Sequence, residues 1–235
     1  MAPIVRPREG ALLGDVAGRI APYLPAGTRL ERTVSLYFAE GADGWARDDV
    51  AAVDLEWFKD DYARLRTLLT HETFHAAQQA ARRPAPPGAG AGSPADSVLR
   101  GALEQLFEEG TANYVAPTRD LPAAERAAAA RAGAALLDTV VAALAEGTAD
   151  GRAAAQGAVQ RGVAGAGPFY WLGAAMSAAI VDALGPRALA ATLRDGGVAF
   201  AQSYLRAAAR SRAAPRLLPS TVAAAVRRLP APAQR

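Results

Sequence analysis

The chain has 235 residues, 51% of them hydrophobic but only 6% aromatic, and a formal charge of only +3 despite a basic isoelectric point. That length allows one good core, or a catalytic domain with a helical appendage, and the alanine-rich apolar content predicts helices packed closely on helices. Cysteine is absent, which excludes disulfides and thiolate ligands and leaves histidine and carboxylate to hold any metal; the arginines are scattered without stacking aromatics, so no nucleic-acid partner is expected.

In chain order, residues 1–10 carry Pro3, Arg6, Pro7, Arg8 and Glu9 and lack the apolar core of a signal peptide. A cytoplasmic location is expected, or a secreted one if a signal peptide has been removed. Leu12, Leu13, Val16, Ile20 and Tyr23 recur at helical spacing up to Pro25 and Gly27. Two short β-branched or aromatic runs, 33–38 and 50–55, then read as strands separated by a polar turn. A continuous helix is predicted from Tyr62 to Arg82. The Pro- and Gly-rich stretch from Arg83 to Pro94 suits no regular element and reads as a flexible loop.

A second helix is expected from Asp96 or Ser97, as cap, to Tyr114, with Leu99, Leu103, Leu106 and Phe107 on its buried side. A third should cover 122–145, ending in a turn over 146–151. A glycine-rich passage leads to Gly167-Pro168, which opens a helix to about Leu184, where Gly185-Pro186 stops it. Shorter helices are expected over 187–194, 198–209 and 220–229, before a frayed end. No uninterrupted apolar run suggests a membrane span, the nearest being 163–184. The predicted class is α+β, mainly α, in one domain: a sheet-plus-helix part over 1–82, the loop over 83–95 and a helical part over 96–235.

The only two histidines of the chain fall in His71-Glu72-Thr73-Phe74-His75, inside the predicted 62–82 helix. About 100° of turn per residue stacks His71 and His75 on one face with Glu72 beside them. Two imidazoles at that spacing can hold one divalent cation, usually zinc, and the neighbouring carboxylate can act on a water. A pair of merely solvated or core histidines is the alternative, but confinement of every histidine to this spacing makes chance a poor account. Catalytic zinc takes three protein ligands, so one more is required. The candidate lies in Glu108-Glu109-Gly110-Thr111-Ala112-Asn113-Tyr114.

A helix with H-E-x-x-H followed by a second with E-G-x-A-x-Y resembles the gluzincin metallopeptidases, the thermolysin and aminopeptidase N class. The resemblance implies a zincin-like fold, with the small sheet packed on the H-E-x-x-H helix, and zinc bound by His71, His75 and Glu109. Helical phase agrees, since Glu109 borders the stripe of Leu106 whereas Glu108 points further toward solvent. Asn113 falls where thermolysin-like enzymes carry an Asp that hydrogen-bonds the first zinc histidine, which implies a weaker second-shell role for an amide. Residues 167–188, with G-P-F-Y-W-L-G-A-A-M, are similar to the helix after the metal site in uncharacterised bacterial zinc-dependent peptidases. The 33 residues between His75 and Glu109 exceed the thermolysin-class spacing, and no G-x-M-E-N exopeptidase motif is present. Aminopeptidase activity is therefore not implied.

The leading expectation is a zinc-dependent peptidase acting on a peptide or protein, with Glu72 as the base. A non-proteolytic metal-binding regulatory or interaction protein is the alternative, against which an intact Glu72 argues. Zincins commonly use a Tyr or His as the oxyanion donor, so with no third histidine the resemblance implies a tyrosine. Tyr170, just after a Gly-Pro turn, is the candidate, the competing reading being an aromatic core plug of Phe169, Tyr170 and Trp171. Oligomeric state is not legible.

Overall fold

A computed structural model describes residues 9–29, 33–37, 44–47, 50–54, 61–82, 93–210 and 216–230. The loop expected after Arg82, the strand ends at Phe38 and Leu55 and the outermost residues of both termini lie outside them. The protein is mainly helical. Helix α1 (Glu9–Ile20) runs into a 3-10 turn and is followed by β1 (Thr33–Tyr37), β2 (Gly44–Arg47) and β3 (Val50–Asp54). The strands pair in the order β1-β3-β2, with β1 parallel and β2 antiparallel to β3; β2 occupies part of the stretch expected to be a turn.

Helix α2 (Tyr62–Ala81) begins where Asp61 accepts a hydrogen bond from the Arg64 amide, satisfying one of the free donors of the first turn. Its first half buries Leu65, Leu68 and Leu69 against Leu12 and Val16 of α1 and Val53 of β3. Further along, Phe74 enters a second and larger core formed by the later helices. Those are α3 (Pro94–Val115), α4 (Ala123–Ala145), α5 (Ala149–Val163), α6 (Pro168–Leu184), α7 (Pro186–Arg210) and α8 (Ser220–Arg228).

Three boundaries differ from expectation for identifiable reasons. Helix α3 starts earlier, because Ser93 is the cap: its hydroxyl accepts from the Asp96 amide while the Asp96 carboxylate accepts from the Ser93 amide. Helix α5 occupies a stretch that glycines made look irregular; Thr148 caps it by accepting from the Gly151 amide at 2.9 Å. The two helices expected over 187–209 are continuous except at Gly196, whose φ of 80° kinks α7.

Helix α4 is long and apolar enough by length and composition to cross a membrane, although Glu125, Arg126, Arg131 and Asp138 interrupt it, so the expectation of no uninterrupted apolar run stands. Its alanines raise the mean hydropathy without breaking the helix, and Leu137, Val140 and Ala143 are buried against neighbouring helices, as a core helix requires.

Helices α3 and α6 share the most extensive helix pairing in the structure. A Cβ built on Gly110 would lie 2.3 Å from the Gly173 Cα, and one built on Gly173 would lie 2.4 Å from the Leu106 carbonyl oxygen. No side chain fits between these backbones. The glycine pair therefore sets the depth at which α6 crosses α3, one residue beyond Glu109 and three beyond Tyr170.

Candidate metal centre

His71 and His75 point the same way from α2, and their Nε2 atoms lie 3.0 Å apart. Glu109, carried on α3, brings Oε2 to 3.8 Å from His71 Nε2 and 3.4 Å from His75 Nε2. Zinc bonds of about 2.0–2.1 Å at tetrahedral angles give ligand–ligand edges of about 3.3 Å. The observed triangle brackets that value. Two imidazole nitrogens and one carboxylate oxygen are also a donor set that zinc accepts. Among the described residues, these three form the group of His, Asp and Glu side chains able to hold a metal ion.

Each imidazole is held from behind. His71 Nδ1 faces the Ala116 carbonyl at 3.0 Å; a carbonyl oxygen can only accept, so Nδ1 carries the hydrogen and Nε2 is turned to the site. His75 Nδ1 lies 2.8 Å from Gln78 Oε1. Gln78, 2% exposed, donates through Nε2 to the Glu108 carbonyl at 2.9 Å and to Thr111 Oγ1 at 2.7 Å. Thr111 in turn donates to the Phe107 carbonyl.

Charge within the trio follows from this packing. Burial alone would lower the His75 pKa, but the hydrogen bond and charge of Glu109, the charge of Glu72 and the bond to Gln78 outweigh it and push it up to about 9. Burial would raise Glu109, yet the nearby His71 and His75 rings, the His75 charge and the Tyr170 hydroxyl carry it well below the usual carboxylate range. His75 and Glu109 thus favour positive charge between them, which a cation would supply. Glu72 is buried on the same helix, close enough to His75 for its charge to be felt.

Tyr170 stands apart from its neighbours. Phe169 and Trp171 are buried in the body of the protein, whereas Tyr170 is half-buried, stacks its ring on His71 with centroids 6.2 Å apart and planes within 6°, and hydrogen-bonds Glu109. The three aromatics do not form one plug, since consecutive residues near a helix start diverge by about 100°. Asn113 does not reach His71. Its amide oxygen accepts from the Thr118 amide at 3.0 Å, and its amide nitrogen donates to the Tyr170 carbonyl at 3.3 Å. The geometry thus corrects the partner expected for Asn113: the Ala116 carbonyl stands behind His71, and Asn113 ties the end of α3 to the backbone of Tyr170.

Glu108, expected to face solvent, pairs with Arg82 at 3.0 Å. Arg82 also bonds Glu104, whose other oxygen accepts from the Gly197 amide at 3.0 Å. This cluster fastens the end of α2 to α3 and α7. Gln78 and Arg82 escaped the sequence reading. Nothing in the sequence separates Gln78 from the exposed Gln79 beside it except its position three residues after His75, and Arg82 had no signal.

A model of the family described as "putative zinc dependent peptidase (DUF5700)" matches residues 4–213. No curated protein and no solved structure matches the chain.

Proposed function

The chain belongs to that family, and on this premise we propose that it is a zinc-dependent peptidase of gluzincin type, with a zincin-like arrangement in which the small sheet and the helical body flank the metal helix. The observation that carries the reading is the convergence of His71 Nε2, His75 Nε2 and Glu109 Oε2 at distances that suit one zinc ion. Zinc held there would supply Lewis acidity to a substrate carbonyl and to an attacking water.

The protein's own groups divide the remaining work. Glu72, next to the first ligand and buried at 7% exposure, would take the proton of the attacking water and later return it to the leaving amine. The Tyr170 hydroxyl hydrogen-bonds Glu109, so the same donor would lie within reach of a substrate oxygen beside that carboxylate. There it would stabilise negative charge on the former carbonyl oxygen. Stacking on His71 fixes the ring, and the bond from Asn113 to its carbonyl fixes the backbone that carries it. The substrate would be a peptide or protein.

Metal content of the purified protein is the first measurement, with one zinc per chain expected. Digestion of a peptide library with and without chelator follows, together with Glu72→Gln, which preserves shape but cannot accept the proton. Cleavage that chelator and Glu72→Gln both abolish, with zinc retained in the variant, supports the peptidase. Stoichiometric zinc without cleavage of any peptide would favour a metal-binding regulatory protein.

A further inference from the structure

We propose that Gln78 is a positioning residue for the metal centre: it fixes His75 as the Nδ1–H tautomer and so presents Nε2 to the metal. The consequence for zinc rests on the peptidase reading; the tautomer does not. Side-chain amides and imidazoles can each be turned around without changing shape, so the assignment has to come from partners whose role is fixed. The Glu108 carbonyl is such a partner. It cannot donate, so the Gln78 atom 2.9 Å from it must be the NH₂ group. The same group reaches Thr111 Oγ1, whose own hydrogen is directed to the Phe107 carbonyl, leaving that hydroxyl as an acceptor. Gln78 Oε1 is thereby aimed at His75, and an oxygen 2.8 Å from Nδ1 requires a hydrogen on that nitrogen.

The chain of directions starts at a backbone atom immediately before Glu109 and ends at a ligand on another helix. Gln78 therefore ties the orientation of His75 to the helix that supplies the third ligand. His71 obtains the same tautomer from the Ala116 carbonyl. The two histidines reach one state by different routes, a backbone carbonyl in one case and a side-chain amide in the other, and only the second can be removed by substitution. Burial of Gln78 at 2% exposure leaves no water to take over its place. Orienting groups behind a metal histidine are typically worth about 10- to 100-fold in metal affinity.

Only two histidines are present, so a long-range ¹H–¹⁵N spectrum of ¹⁵N-histidine-labelled full-length protein resolves both rings, His71 being the one in contact with the Tyr170 ring. In metal-free protein with the ring neutral, the expected result is a hydrogen on Nδ1 of His75 and none on Nε2. Gln78→Met, an unbranched replacement that keeps the packing, should give His75 a mixture of tautomers, leave His71 unchanged and lower zinc affinity about 10- to 100-fold. A wild-type His75 protonated on Nε2 would overturn the proposal and needs no variant to be seen. Unchanged tautomer and affinity in Gln78→Met would overturn it equally. A wild-type protein that binds no zinc would instead remove the peptidase reading and leave the tautomer result standing.

Discussion

The two halves of the metal centre are built by different physics. On α2, His71, Glu72 and His75 are placed by helix geometry alone, one turn apart on a single element. On the opposite side, Glu109 and Tyr170 come from helices α3 and α6, and their positions depend on how closely two backbones cross at Gly110 and Gly173. The first half survives anything that leaves a helix intact. The second is a property of tertiary packing, so residues that touch no ligand can damage it.

Removing the local half should have the largest effect. In the double variant His71→Ala, His75→Ala, zinc content should fall to background, because no other histidine and no cysteine can replace the lost ligands. Metal analysis after dialysis checks this, and stoichiometric zinc in that variant would end the assignment.

Tyr170→Phe probes the packed half without disturbing its packing. The ring that stacks on His71 stays and only the hydroxyl is lost, so turnover should drop by about 10- to 1000-fold, the scale of losing one oxyanion donor. Zinc content and melting temperature should hardly change. Unchanged turnover would return Tyr170 to a purely structural role.

What the sequence made legible follows the same division. His71, Glu72 and His75 could be read from spacing, and helices α2, α3, α4 and α6 from periodicity and their stops. Glu109 required a family resemblance as well, because helical phase favours it over Glu108 but does not say that the metal helix lies opposite. The partners behind the ligands were the least legible. The Ala116 carbonyl is a backbone atom and carries no residue signature, and Gln78 and Arg82 gain their meaning only when α2 meets α3. Helix α5 was hidden by glycines such as Gly162, whose missing Cβ makes room for the Phe169 ring.

Gly173→Ala tests the crossing directly. The added methyl would meet the Leu106 carbonyl at 2.4 Å and Gly110 at 2.6 Å, against backbone on both sides, so α6 must move away. Overpacking of this kind costs about 1–3 kcal/mol, which for a chain of this size lowers the melting temperature by roughly 2–12 °C. Tyr170 and Glu109 shift with it. Zinc affinity should therefore weaken while His71 and His75 still bind, a partial loss that contrasts with the complete loss in the double histidine variant. Wild-type stability and affinity in Gly173→Ala would show that the crossing has slack and that the packed half is no more fragile than the local one.

The smallest expected effect is a pH dependence of the metal-free protein, and it distinguishes a proton from a metal as the element that holds the two halves together. With His75 raised from 6.5 to about 9, the folded state binds its proton more tightly than the unfolded chain does. That stabilisation is fully present below about pH 6.5 and disappears as pH rises through 9. Glu109 works in the opposite sense. Its pKa is lowered from 4.5, so its contribution is present above that value and is lost as pH falls below it. Metal-free protein should thus be most stable between about pH 4.5 and 6.5 and lose a few degrees of melting temperature on approaching pH 9.5. A zinc ion on His75 Nε2 displaces the proton responsible, and competition from protons weakens as pH rises. The gap in melting temperature between zinc-loaded and metal-free protein should consequently widen from pH 6.5 to 9.5, and zinc uptake near neutral pH should release about one proton. Calorimetric melting of both forms across that range, with zinc titrations in buffers of differing ionisation enthalpy, measures each quantity. A metal-free melting temperature that stays level through pH 9.5 would mean that no shared proton bridges His75 and Glu109, and that the bonds of Gln78 and Arg82 hold α3 to α2 without it.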